Sequence, residues 1–237
     1  MPWAFPKETV DPFRVYIKKV NSMSYSLVGI DIETGGLDGY VKVDSNRVHG
    51  AAYYPILEIG VLVATPQLEL KDKFSVGIKP SAEDVEKMHP WAQDQHRKSG
   101  LLDALEKGGT EHDFIAVDLK EATSYIVARL EKAGAHQYNH KERTGSIVFG
   151  NTVGFDMSFI DAQMPELADY FHYRKIDISV IDMLQRTAWK DAGFHAPEKQ
   201  YGHTALADIE ESFVELSSYT KTIKRLVKNA SLMSTKF

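Results

Sequence analysis

Residues 26–37 read SLVGIDIETGGL, and this stretch decides the fold. Its first half is nearly continuous in apolar residues and rich in β-branched ones, the pattern of a strand buried on both faces. Side chains alternate across a strand, so Asp31 and Glu33 share one face at its end. Gly35 and Gly36 then stop the strand. A strand covered on both faces implies layers of helix above and below it. Working outward, 38–55 (DGYVKVDSNRVHGAAYYP) shows no sustained period and reads as an inserted loop. ILEIGVLVAT and LKDKFSVGIKP are two further strands, joined by a turn at Pro66-Gln67. Residues 116–134 place Leu119, Ala122, Ile126 and Leu130 on one helical face, with Gly134 as the stop. SIVFGN is a strand and a helix begins near Asp156, to be broken or restarted at Pro165. KIDIS is a short strand leading into the helix SVIDMLQRTAW. The last long helix starts near Thr204, with Ile209, Phe213, Leu216, Ile223 and Leu226 as its apolar stripe. The expected class is α/β: a mixed five-stranded sheet flanked by helices.

Three separated clusters of acidic residues stand out in this framework. Asp31 and Glu33 are the first, Asp156 closes GNTVGFD, and His203 and Asp208 lie in YGHTALADIEE. Each has an ordinary reading alone: a solvated strand end, a helix N-cap, a surface histidine. Together they read differently. Right-handed crossovers bring the strand ends at Asp31/Glu33 and Asn151 side by side, and the last helix carries His203 and Asp208 across the same edge. Converging carboxylates are costly unless a divalent cation neutralises them. A histidine beside them exchanges protons near neutral pH. Such a set is equipped for metal-assisted attack of water on a phosphodiester.

Composition narrows the partners. The chain has 237 residues, is 43% hydrophobic and carries a net charge of −5, which argues against coating long nucleic acid and for a short strand or small ligand. There is no cysteine, hence no disulfide framework. No apolar run approaches the ~20 residues that span a bilayer, and MPWAFPKETVDPFRVYIKK lacks a signal-like apolar stretch. A cytoplasmic location is expected. Residues 1–24 read as an N-terminal extension, 25–228 as one domain and 229–237 as a tail.

The motifs DIETGGL, Asn151 to Asp156, and His203 with Asp208 resemble the DEDDh-type 3′→5′ exonuclease family, which has a ribonuclease H-like fold. WAQDQHRKSGL, MPELADYFHYRKIDIS and HTALADIEESFVEL are similar to further signatures of its oligoribonuclease branch, and the likeness runs from about residue 26 to 220. The resemblance implies that Asp31, Glu33, Asp156 and Asp208 hold two divalent cations, Mg²⁺ or Mn²⁺, and that His203 is the general base. It implies that Leu37 and Trp91 bracket terminal bases, beside Asn151 and Thr152, and that His96, Arg174 and Ser179 hold a 5′-phosphate. Tyr173 would enter a neighbouring subunit's site, which implies a homodimer. The implied activity is 3′→5′ hydrolysis of short single-stranded RNA, dinucleotides to about pentanucleotides, to nucleoside 5′-monophosphates. Short DNA is the related substrate.

This chain departs from the family pattern in places. Gly35 replaces a usual threonine, which is expected to loosen the strand end. Thr152 replaces a serine, and Asp182 stands where a lysine is common, which would weaken phosphate capture if it points into the site. The stretches 38–55 and 132–146 are insertions. The missing lysine and the insertions support an alternative, a general DEDDh exonuclease acting on single-stranded DNA or longer RNA 3′ ends. A catalytically silent nucleotide-binding module is the reading from another class, and the presence of all five catalytic positions argues against it.

Overall fold

The structure, a computed structural model, describes residues 25–109, 111–190 and 204–234. The N-terminal extension and His203 lie outside the described residues. Strand β1 (Tyr25–Thr34) is followed by β2 (Tyr40–Val43), β3 (Asn46–His49), the short helix α1 (Gly50–Tyr53), β4 (Ile56–Ala64) and β5 (Leu70–Ile78). Helices α2 (Ala82–Lys87), α3 (Pro90–Lys98) and α4 (Leu101–Lys107) lead to β6 (Phe114–Ala116) and α5 (Leu119–Lys132). Then come β7 (Gly145–Gly150), α6 (Gly154–Gln163), α7 (Pro165–Ala168), β8 (Ile176–Asp177), α8 (Ile178–Arg186) and α9 (Ala205–Ser234).

The main sheet has the order β6-β5-β4-β1-β7-β8. Strand β1 pairs antiparallel with β4 and parallel with β7, so the sheet is mixed as expected. Among the described residues it has six strands rather than five. The additional strand is β6, parallel to β5 at the far edge. Three residues are too few to carry a period, and its pairing is settled by tertiary context. A second correction concerns 38–55. Instead of a loop it forms a two-stranded hairpin, β2 against β3, closed at its base by α1.

Strand β1 is buried on both faces, and this determines where the site sits. Val28, Ile30 and Ile32 pack on the side of α5, α6 and α7. Leu27 packs on the other side with Ile178, Ile209, Leu216 and Tyr219 of α8 and α9. The alternation puts Asp31 and Glu33 on the α9 side, where the apolar layer ends. Two glycines allow α9 to lie close to the sheet. A Cβ on Gly29 would stand 2.6 Å from side-chain atoms of Ile209 and Phe149, and one on Gly60 would stand 2.3 Å from the Ala205 carbonyl. The stripe on α9 is buried at Ile209 and Leu216, whereas Ile223 and Leu226 are exposed where the helix runs on to Ser234.

Gly35 is held firmly. Its N–H donates to the Pro55 carbonyl (2.8 Å) and its carbonyl accepts from His89 N–H (2.7 Å). A Cβ there would meet Pro55 and Met88 at under 3 Å. The glycine is a close-packing residue, and the strand end is not loosened by it.

Candidate active site

Asp31 faces Gly60 across the β1–β4 ladder, and Glu33 faces Glu58. Asp208 lies in the first turn of α9, the turn seated over Gly60. Carboxylate oxygens of Asp31, Glu33 and Asp208 therefore come within 4.8 Å of one another. Asp156, in the first turn of α6, is only 4% exposed and accepts a hydrogen bond from Ile32 N–H at 3.0 Å. That bond anchors it to β1 between the two acidic residues of the strand. It is not the cap of its helix, since the N-cap position is Val153 and Asp156 lies inside the first turn.

Crowding leaves its mark on the titration of these groups. Burial first, then the charges of Asp156, Asp208, Glu33 and Glu58, push Asp31 up to about 9. Burial followed by Glu58, Asp208 and Asp156 pushes Glu33 up to about 8. Burial raises Asp156 to about 7, against hydrogen bonds from its own N–H and that of Ile32. Carboxylates that resist ionisation together are suited to a divalent cation, which removes both the repulsion and the desolvation cost. An all-oxygen ligand set fits hard cations such as Mg²⁺ or Mn²⁺.

Beside the carboxylates opens a cavity of about 1030 Å³. Glu33 lines it, together with Leu37, Tyr40, Trp91, His96 and Phe155. Leu37 is 72% exposed and Trp91 65% exposed, so neither is a core residue. His96 is buried and donates from Nε2 to the Thr34 carbonyl at 2.8 Å. A second group gathers at the ends of β7 and β8. Thr152 N–H, in a left-handed backbone conformation (φ 53°), donates to Asp177 Oδ1 (3.0 Å) and Ser179 Oγ (3.3 Å). Positive φ is uncommon for a β-branched residue, and these two hydrogen bonds hold the backbone there. The Asn151 amide turns to α9, donating to Ser212 Oγ and Glu215 Oε2. Tyr173 is exposed, with its ring stacked 4.6 Å from His172 and Arg174 over its face at 5.4 Å. Neither Tyr173 nor Arg174 lines the cavity. Asp182 pairs with Arg186 at 2.8 Å.

Glu58 was missed by the sequence reading. It is buried, accepts from Ala205 N–H at 3.2 Å and lies 3.4 Å from His112 Nε2. It thus tethers the start of α9, which carries Asp208. A lone charge inside the apolar run ILEIGVLVA was the available signal, because buried charges persist only where they have partners.

The model of the RNase T exonuclease family matches residues 28–216. The chain is 34% identical to an oligoribonuclease of Cutibacterium acnes over 83% of its own length and 85% of the relative's. It is 33% identical to that of Vibrio vulnificus, over 86% of this chain and 100% of the relative. The chain belongs to the oligoribonuclease family of exonucleases. Among solved structures, family membership agrees with a fold likeness to exonuclease I. With the enzyme from Methylocaldum szegediense the TM-score is 0.52 at 15% identity, covering 80% of this chain and 39% of that one. With E. coli exonuclease I in complex with a dT13 oligonucleotide it is 0.56 at 12% identity, covering 87% and 43%. The chain thus spans about two fifths of those exonuclease I chains. Among the described residues, no helix is long and apolar enough to cross a membrane.

Proposed function

We propose that this chain is a metal-dependent 3′→5′ exoribonuclease that degrades RNA of two to about five nucleotides to nucleoside 5′-monophosphates in the cytoplasm. One observation carries this reading. Glu33, whose carboxylate gathers with those of Asp31 and Asp208, lines the same cavity as the exposed side chains of Leu37 and Trp91. A strand end whose bases sit between those two side chains has its terminal phosphodiester beside the carboxylates.

Asp31, Glu33, Asp156 and Asp208 would hold two divalent cations, which supply charge stabilisation at the attacking and leaving oxygens. His203 accepts the proton of the attacking water and returns it to solvent. Trp91 grips a base by stacking, which is indifferent to base identity and worth roughly 1–3 kcal/mol per base, and Leu37 brackets the terminal bases from the other side. His96, Arg174 and Ser179 hold the 5′-phosphate, with Asn151 and Thr152 shaping the neighbouring wall. A guanidinium is suited to this because it makes two parallel hydrogen bonds to a phosphate. The stacked, exposed Tyr173 reaches the partner's cavity in a homodimer, and Arg174 rides on its ring.

The test is product analysis on 5′-labelled RNA in Mn²⁺ with Asp31→Ala, Arg174→Ala and His203→Asn beside the wild type. Nucleoside 5′-monophosphates released from the 3′ end, none with Asp31→Ala, are expected. Arg174→Ala should lose the preference for a 5′-phosphate, and His203→Asn should lose a limb of the pH–rate profile. An unchanged profile in His203→Asn removes that residue from the base role.

A further inference from the structure

The hairpin β2–β3 presents a face that nothing in the proposed chemistry uses. In its register Tyr40 lies opposite His49, and Lys42 opposite Arg47. Directly opposed residues of an antiparallel pair share a face, so all four project together. All four are exposed, and Tyr40 is 66% exposed. On the other face Val41 packs toward the main core. Arg47 stands over the Tyr40 ring at 4.8 Å, and His49 meets that ring edge-on at 5.4 Å. Neither Lys42 nor Arg47 pairs with an acidic side chain among the described residues.

The hairpin is fastened so that this aromatic sits beside the cavity. Gly50 N–H donates to the Gly39 carbonyl at 2.7 Å, and a Cβ on Gly50 would stand 1.9 Å from the Leu37 carbonyl. Only glycine lets the base of the hairpin close against Leu37. As a result Tyr40 and Val41 line the same cavity as Leu37, Trp91 and Glu33. A fixed, exposed aromatic flanked by unpaired cations is the equipment that grips single strands: a π-face for a base and charge for the phosphate.

Direction follows from the chemistry. An RNA whose 3′-terminal phosphodiester lies at the carboxylates can extend only toward its 5′ end. We propose that the hairpin is an additional nucleotide subsite. Tyr40 stacks a base 5′ to those held at Leu37 and Trp91, and Lys42 and Arg47 meet its phosphate, shifting the preferred substrate length above two. This rests on the reading of the cavity as the seat of an RNA 3′ end.

The experiment compares kcat/KM for 5′-phosphorylated di- and tetranucleotide RNA in wild type, Tyr40→Ala and Tyr40→Phe, with Lys42→Gln tested for salt dependence. Tyr40→Ala should lower the tetranucleotide-to-dinucleotide ratio roughly 5- to 150-fold, the value of one stacked base, while Tyr40→Phe should restore it. Lys42→Gln should reduce the salt slope for the tetranucleotide by about 0.7, one single-strand phosphate contact. An unchanged ratio in Tyr40→Ala, or equal losses at both lengths, overturns the subsite and leaves the exoribonuclease reading standing. A wild type that releases no nucleotide from either RNA overturns both.

Discussion

Gly60→Ala tests whether the acidic site depends on how closely α9 lies against the sheet. The added Cβ would stand 2.3 Å from the carbonyl carbon and oxygen of Ala205 and 2.5 Å from Leu206 N, all backbone atoms that no rotamer change can move aside. Carbon contacts settle near 3.5 Å or more, so the start of the helix must retreat by about 1 Å. Asp208 sits in that first turn, and Asp31 lies directly across from Gly60. The substitution therefore opens the carboxylate cluster without touching any of its members. Misplacement by about 1 Å costs on the order of 100-fold in rate. The overpacking itself costs about 1–3 kcal/mol of stability, or several degrees in Tm for a chain of this size. The assay is kcat/KM on a dinucleotide in Mn²⁺, measured with the melting temperature on one preparation. Wild-type kcat/KM in a folded Gly60→Ala protein would refute the claim that helix seating positions the site.

Two further outcomes follow from the buried charges. Burial and the neighbouring carboxylates push Asp31 and Glu33 up to about 9 and about 8, from ordinary values of 3.8 and 4.5, so the folded state keeps protons that the unfolded chain releases. The contribution of these two groups to the stability of the metal-free protein is therefore fully present below about pH 4 and is lost as pH rises to about 9. Melting curves in EDTA should show that decline, Mn²⁺ should offset it most at high pH, and Asp31→Asn should flatten it while abolishing hydrolysis. A metal-free Tm that rises from pH 5 to 9 contradicts the sign. Glu58→Ala leaves Ala205 N–H buried without its acceptor and should cost about 1–3 kcal/mol, with a fall in kcat. Glu58→Gln keeps an acceptor and should retain most of the stability; equal denaturation midpoints for Ala, Gln and wild type would show that the tether carries no weight.

What could be read from the sequence follows from the length of each signal. Strand β1 was legible because ten residues carry one pattern, and its alternation was enough to put Asp31 and Glu33 on one face. The start of α9, and with it Asp208, was legible from an apolar stripe that holds from Ile209 through Phe213 to Leu216. Strand β6 and the hairpin were not, because runs of three and four residues show no period above background. The gathering of Asp31, Glu33 and Asp208 followed from chain order. The tether at Glu58 and the clearance at Gly60 are properties of the β4–α9 contact, which no local pattern reports. The cavity wall at Tyr40 stayed hidden for the same reason, since the fastening at Gly50 depends on the Leu37 carbonyl rather than on its sequence neighbours.

The most direct test of the central claim is the initial rate of nucleoside 5′-monophosphate release from 5′-phosphorylated RNAs of two to about twenty nucleotides. These should be supplied at equal 3′-end concentration in Mn²⁺, with EDTA and Asp31→Asn as blanks. Rapid release from RNAs of two to about five nucleotides, a steep fall beyond them and silence in both blanks are the predicted result. Equal rates at every length, or release that persists in EDTA, would contradict a metal-dependent enzyme specialised for short RNA.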